Sequence, residues 1–195
     1  MQVVLILISL LIGTRLIFYT IGNYFNLANS YTYKFAPVKL EEAAYYIRNQ
    51  LTPRGFEFFI AELFKELGHK AEVTPAELDW GRDVIVDDGK ILIECKRYIS
   101  SIVGRDICFK LIGTSIYHRA EKCIVINTGR YNEHAYTVAN EVEMLELWDM
   151  IDIMTKLREI GEEKTNEILK NATILQGTVL DWVKEDDEIP APEGI

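Results

Sequence analysis

Three charged side chains stand around one tight turn in positions that could do chemistry together. Asp83 precedes a β-branched run, and Glu94 and Lys96 close a second one. The dipeptide Asp88-Gly89 lies between the two runs, and it strongly favours a two-residue hairpin turn. In the register set by that turn, Asp83 lies directly opposite Glu94 and on the same sheet face as Lys96. The sequence therefore predicts two carboxylates and an ammonium group at one end of a hairpin.

Two carboxylates that face each other across a strand pair are destabilising unless something neutralises them. A divalent cation would do so, and Mg²⁺ typically takes one or two carboxylates and keeps its other positions for water and phosphate. Gly81 would lie opposite Lys96 and leave room for a ligand. The alternative is a surface hairpin whose charged side chains are simply solvated. The residues alone leave both interpretations open.

The hairpin and its surroundings resemble the PD-(D/E)xK nuclease superfamily, and within it the Mrr-type restriction endonuclease domains. The resemblance covers about residues 52–150, in order and with similar spacing. Glu94 stands where many Mrr domains carry glutamine, although glutamate is the more usual metal ligand across the superfamily. The matching segments are Gly55-Phe56-Glu57, Ile60-Ala61-Glu62-Leu63, Leu67-Gly68-His69, Asp79-Trp80-Gly81-Arg82-Asp83, Glu94-Cys95-Lys96-Arg97-Tyr98, Ile124-Val125-Ile126-Asn127-Thr128-Gly129, and the helix with Ala135 and Ala139.

The resemblance implies a DNA endonuclease that depends on Mg²⁺, with Mn²⁺ as a substitute, and that acts in restriction or defence. Asp83 and Glu94 would hold the metal, with the backbone carbonyl of Cys95 as a further ligand. Lys96 would position or help deprotonate the attacking water. Glu57 would be an auxiliary active-site acid, against the alternative of an ordinary helix glutamate.

Asp79 is the remaining acid near this site. It is interpreted either as a carboxylate that supports the metal ligands or as a turn residue, with equal weight.

A local excess of positive charge supports a DNA partner in a chain whose net charge is −9. Between residues 94 and 134 there are seven basic and four acidic side chains. Phosphate neutralisation dominates nucleic-acid affinity, so a basic face beside the carboxylates offsets the overall acidity. The DNA-contact candidates are Arg97, Arg105 and Arg130, each against the alternative of a solvated surface charge.

Two other functions fit the same residues. A structure-selective nuclease of the Holliday-junction-resolvase kind would use the same Asp83, Glu94 and Lys96 chemistry. A membrane-tethered relic of the fold would have no activity, although the intact charged triad argues against it. The sequence leaves the oligomeric state open, with a homodimer as one option.

The first 25 residues predict a transmembrane helix. They are almost wholly apolar, with Arg15 as their one charged side chain, and residues 3–21 are long enough to cross a bilayer. A charge within a span costs about 2.5–3.5 kcal/mol on insertion scales, so a helix buried in protein is the alternative. Basic residues follow the segment rather than precede it, which by the positive-inside rule places the remainder in the cytoplasm.

The 195 residues divide into four predicted parts: a transmembrane helix (1–25), a connector with a short helix (26–51), an endonuclease-like domain (52–150), and a C-terminal helical extension with an acidic tail (151–195). Strand and helix patterns alternate after the leading hairpin. This order predicts an α/β fold in which a mixed sheet is flanked by helices on both faces, as in restriction endonucleases. A helix is expected over residues 102–117, and the three cysteines are expected to be buried, reduced thiols.

Overall fold

The computed structural model describes residues 35–75 and 81–178. Within these ranges no helix combines the length and apolar character needed to cross a bilayer. The predicted transmembrane helix, Asp79 and the acidic tail after residue 178 lie outside the described residues. For these segments the predictions stay untested.

A five-stranded mixed sheet forms the centre of the fold, in the order β1-β2-β3-β5-β7. β1, β2 and β3 are antiparallel neighbours, whereas β3, β5 and β7 run parallel. A second, two-stranded parallel sheet joins β4 to β6. The strands are β1 (Ala71–Val73), β2 (Val84–Val86), β3 (Ile91–Lys96), β4 (Ile102–Val103), β5 (Lys122–Asn127), β6 (Arg130–Tyr131) and β7 (Leu145–Trp148).

Helices cover both faces of the sheet, which confirms the predicted α/β layering. They are α1 (Ala43–Asn49), which follows a 3₁₀ turn at Leu40–Glu42, α2 (Pro53–Glu66), α3 (Arg105–His118), α4 (Glu133–Glu141) and α5 (Met150–Thr178). One core packs α1, α2 and α5 on one face of the sheet, and a second core packs α3 and α4 on the other. Gly161, with a φ of 85°, interrupts α5 and divides it into two helical segments.

The β2–β3 hairpin forms in the predicted register, with Val84 paired to Ile93 and Val86 to Ile91. Residues 87–90 connect the two strands, and Asp87, Asp88 and Gly89 all have positive φ, at 50°, 57° and 94°, so the connection is longer than the predicted two-residue turn. Leu92 packs into the α3 and α4 core, whereas Ile93 packs into the α2 core. Alternation along β3 therefore sends successive side chains to opposite layers, and both faces of the hairpin are covered.

Helix α2, which opens the predicted endonuclease-like domain, begins as predicted. The Thr52 side chain accepts a hydrogen bond from the Gly55 N–H at 3.0 Å, and Pro53 occupies the first helical position. The helix predicted over residues 102–117 is wrong at its start, because Ile102 and Val103 form β4 instead. Their β-branched side chains favour a strand, and Gly104 then caps a helix that begins at Arg105. All three cysteines are buried and unpaired, as expected.

The C-terminal helix α5 is attached to the start of α2 by a buried glutamine. Gln176 is 1% exposed, and its Oε1 accepts hydrogen bonds from the Thr52 N–H at 2.8 Å and the Thr52 hydroxyl at 3.3 Å. Farther along the same helix, the Asn166 side chain bonds both the N–H and the carbonyl of Val38. The chain on either side of the predicted endonuclease-like domain is thus part of the same packed unit.

Replacing Gln176 tests this attachment. Gln176→Leu should lower the free energy of unfolding by about 1–3 kcal/mol, because the Thr52 N–H loses its partner without regaining water. Urea denaturation measures the change. Lys170→Leu, at an exposed position on the same helix, is the control and should stay within about 0.5 kcal/mol of the parent. Equal unfolding midpoints for the two variants would contradict this role of Gln176.

Candidate active site

Asp83 sits at a bend just before β2, where the regular hairpin ladder ends. Its N–H donates to the Ile93 carbonyl at 2.7 Å, and its own carbonyl accepts from the Thr74 N–H at 2.9 Å. The predicted direct pairing of Asp83 with Glu94 is therefore not part of the ladder, which ends at Val84 and Ile93. Irregular pairing of this kind re-aims a side chain. Here it lets Asp83 Oδ2 accept the Cys95 N–H at 2.7 Å.

Glu94 lies on β3 with only 3% of its surface exposed. Its Oε1 forms an ion pair with Lys96 Nζ at 3.0 Å. Its Oε2 is buried and accepts no hydrogen bond. Burying a carboxylate oxygen without a hydrogen-bond donor is costly, so this oxygen is available as a ligand for a cation.

The burial of Asp83 beside other acids has a clear electrostatic consequence. Loss of water raises the pKa of Asp83 well above its usual range, and the charges of Glu94 and then Glu57 raise it further. The hydrogen bond from the Cys95 N–H and the charge of Lys96 act in the opposite direction but are smaller. The charges of Asp83, Glu94 and Lys96, the three predicted site residues on the hairpin, therefore act on one another at this end of the hairpin.

Cys95 contributes to the candidate site through its backbone. Burial and then the nearby carboxylates raise the pKa of its thiol well above the usual value, so the sulfur stays protonated at neutral pH. A protonated thiol is a poor ligand for a hard cation. The backbone N–H already holds Asp83, and the predicted ligand role rests on the backbone carbonyl.

Glu57 reaches the site from α2, on the other element that borders it. Its side chain is 7% exposed, and it forms an ion pair with Arg54 one helical turn earlier. The Arg54 guanidinium also lies over the Phe58 ring, 5.0 Å from its centroid. The sequence analysis did not assign Arg54 to the site, although its i,i+3 spacing to Glu57 on a helix was a usable signal.

The space expected over Gly81 is already occupied. A side chain at this position would collide with the aliphatic end of Lys110, which reaches across from α3. The prediction that Gly81 leaves room for a ligand is therefore wrong. The glycine instead permits a positive φ of 78° and the close approach of a lysine.

The donor set fits a hard divalent cation of the magnesium type. Among residues 35–75 and 81–178, no three His, Cys, Asp or Glu side chains group closely enough to enclose a metal ion. Asp83 and Glu94 offer two carboxylates, one of which has a buried oxygen without a partner. Mg²⁺ is usually held by one or two carboxylates and retains water and phosphate elsewhere in its shell, whereas Ca²⁺ requires more oxygen ligands.

The three arginines predicted to contact DNA have different environments. Arg97 is partly buried and donates to the Arg48 carbonyl at 2.9 Å, so it holds the end of α1 against the end of β3. Arg105 and Arg130 are exposed. Arg130 pairs with Ile102 in the β4–β6 sheet, and Arg105 opens α3 shortly after β4. Contact of the three arginines with DNA stays a prediction, for which Arg105 and Arg130 are the more exposed candidates.

The fold of this chain resembles that of a known restriction endonuclease. The DNA modification-dependent restriction endonuclease AspBHI aligns over 70% of this chain and 41% of its own, with 22% identity and a TM-score of 0.54. A crystal structure titled as a protein of unknown function, AF1548, aligns over 65% of this chain and 100% of its own, with 15% identity and a TM-score of 0.45. The chain thus corresponds to less than half of AspBHI. No curated protein sequence matches it.

A family model described as restriction endonuclease, the Mrr catalytic domain, matches residues 48–157. This range contains the β2–β3 hairpin, all of α2 and the five strands of the central sheet. The match covers more than half of the chain. The protein therefore belongs to the Mrr-type restriction endonuclease family.

Proposed function

We propose that this protein is a metal-dependent endonuclease that hydrolyses phosphodiester bonds in DNA. The observation that carries the proposal is the buried, partnerless Oε2 of Glu94 beside the buried carboxylate of Asp83. Two acids in this position cost stability unless a cation joins them. Family membership supports DNA as the substrate, and a role in restriction or defence is part of the same proposal.

Asp83 and Glu94 would hold the cation, Mg²⁺ or Mn²⁺, together with the backbone carbonyl of Cys95. Once bound, the cation supplies a water of lowered pKa and neutralises charge on the scissile phosphate. The protein contributes the orientation of the ligands. The Cys95 N–H fixes Asp83 Oδ2, and Lys96 fixes one oxygen of Glu94, which leaves the other oxygen facing the site.

Lys96 would act on the attacking water. Its ammonium group is mostly shielded from solvent, with 16% of the side chain exposed, and it lies beside Glu94 Oε1. An ammonium group there can orient the water, assist loss of its proton and stabilise the negative charge that develops on the phosphate. Glu57, held by Arg54, would add to the field that keeps a cation in place.

Substituting the hairpin residues tests the enzymatic assignment. Asp83→Asn and Lys96→Met should each reduce plasmid cleavage by at least about 100-fold, because they remove a metal ligand and a charge-stabilising group respectively. Cleavage is followed by gel electrophoresis with Mg²⁺ or Mn²⁺, on methylated and unmethylated plasmid. Lys65→Met, an exposed lysine on α2, is the matched control and should cleave like the parent. Normal cleavage by both site variants would contradict the assignment of Asp83 and Lys96 to the active site.

The raised pKa of Asp83 predicts a pH-dependent stability. In the unfolded chain the pKa of Asp83 is ordinary, about 3.9. As pH rises, the carboxyl of Asp83 therefore loses its proton in the unfolded chain before it does so in the folded protein. The free energy of unfolding of the metal-free protein should therefore fall as pH increases from about 4 toward the higher folded-state pKa. Asp83→Asn should remove this decline and make the metal-free protein more stable than the parent at pH 7.

Thermal melts in EDTA between pH 4 and 8 measure this stability difference, with the exposed Asp88→Asn as the control. Addition of Mg²⁺ should then stabilise the parent protein and leave Asp83→Asn unchanged. An Asp83→Asn protein that is less stable than the parent at neutral pH would contradict the buried-charge argument.

We also propose that residues 1–25 anchor the protein in a membrane with the endonuclease domain on the cytoplasmic side. The apolar sequence and the basic residues that follow it support this topology. The full chain should remain with membranes after a carbonate wash, and a chain that begins near Phe35 should not. Recovery of the full chain in the carbonate supernatant would count against the anchor.

A further inference from the structure

A groove lined mainly by cationic side chains lies between the β2–β3 hairpin and the C-terminal end of α3. Its volume is about 330 Å³, and its charged lining includes Arg82, Lys90 and Arg119, with His118 beside them. Ile85, on β2, supplies apolar surface to the groove, and the buried Leu92 lies beneath it. This combination is unexpected in a chain of net charge −9.

The cations of this groove have no acidic partners in the part of the chain that the structure describes. Neither Arg82, Lys90 nor Arg119 forms an ion pair there, and Arg82 Nε is buried without a hydrogen-bond acceptor. The one carboxylate in the lining, Asp88, is directed to Lys70 at 3.4 Å. Convergent like charges repel one another, so the groove favours an anionic ligand.

His118 lies beside Arg82 in the lining of the groove. The pKa of His118 lies below its usual value because of desolvation and then the charge of Arg82. The other nearby acid, Asp87, is engaged by the His69 ring at 2.7 Å and by the Lys70 N–H at 3.0 Å. The charge of Lys90 also acts on this carboxylate.

The position of the groove separates it from the candidate active site. Lys90 immediately precedes β3 and lies four residues before Glu94, about 13 Å at the rise of a β-strand, whereas Arg82 directly precedes Asp83. One phosphate cannot reach both positions. The groove also lies near the turn at the start of β3, whereas Glu94 and Lys96 lie toward its end.

We propose that this groove is a binding site for the phosphate group of a nucleotide. Arginine guanidinium groups present paired N–H donors that match phosphate oxygens, and a lysine adds a compact charge. The volume exceeds that of a bare phosphate, and the partly exposed Ile85 gives the sugar or base an apolar surface to contact. The nucleotide is either free or part of a DNA strand, and the two sources share this chemistry.

The test uses a double variant, Lys90→Gln with Arg119→Asn, in the full chain. Asparagine is chosen because residue 119 has a φ of 59°, a conformation that asparagine tolerates well. The matched control is Lys170→Gln with Arg158→Asn, two exposed positions on α5. Binding of inorganic phosphate, 5′-dAMP and a 20-base-pair duplex is measured in EDTA by calorimetry and fluorescence anisotropy.

The groove variant should bind 5′-dAMP at least about 10-fold more weakly than the control, and its DNA affinity should depend less on salt, with a log–log slope smaller by about 2. Weakened binding of both ligands supports the site, and weakened DNA binding alone identifies a strand as the source of the phosphate. No difference from the control for any ligand overturns the proposal. Because the assay contains no divalent metal and measures no cleavage, its outcome is independent of the proposed endonuclease activity.

Discussion

The organisation of this protein depends on burying two carboxylates at the end of one hairpin. Asp83 and Glu94 are both almost fully enclosed, and their mutual repulsion, with that of Glu57, acts against folding of the metal-free chain. The structure compensates in a limited way, with one backbone N–H on Asp83 and one ammonium on Glu94. The repulsion that remains is what the proposed cation would relieve.

The surrounding strands and helices hold these two carboxylates in position. β3 is the strand that carries Glu94 and Lys96, and it is fixed on both sides, by β2 in antiparallel and by β5 in parallel. Leu92 and Ile93 alternate into the two cores and prevent the strand from sliding in register, since a slip of one residue would exchange its buried faces. The Arg97 and Arg48 contacts then tie the end of this strand to α1 and to the turn after β5.

Much of this arrangement could be predicted from local sequence because local rules govern it. The Asp88-Gly89 turn requires positive φ, the alternation of β-branched residues sets the strand faces, and Thr52-Pro53 begins a helix. The predictions were wrong where the decisive contact was distant in sequence. Lys110 occupies the space over Gly81 from a helix nearly thirty residues away, and no turn or periodicity rule reports such a contact.

The sequence predicted that Asp83 and Glu94 lie at the same end of the hairpin, but it did not predict how Asp83 is paired. Extrapolating the hairpin register assumes a regular ladder, whereas Asp83 leaves the ladder at the point where its side chain is needed. A regular pair would have placed Asp83 in the row of side chains above the sheet, opposite Glu94. The bend instead directs it toward the backbone of Cys95. Strand pairing often becomes irregular where a side chain must be aimed at a ligand. The irregular pairing of Asp83 is therefore itself an argument that this end of the hairpin is functional.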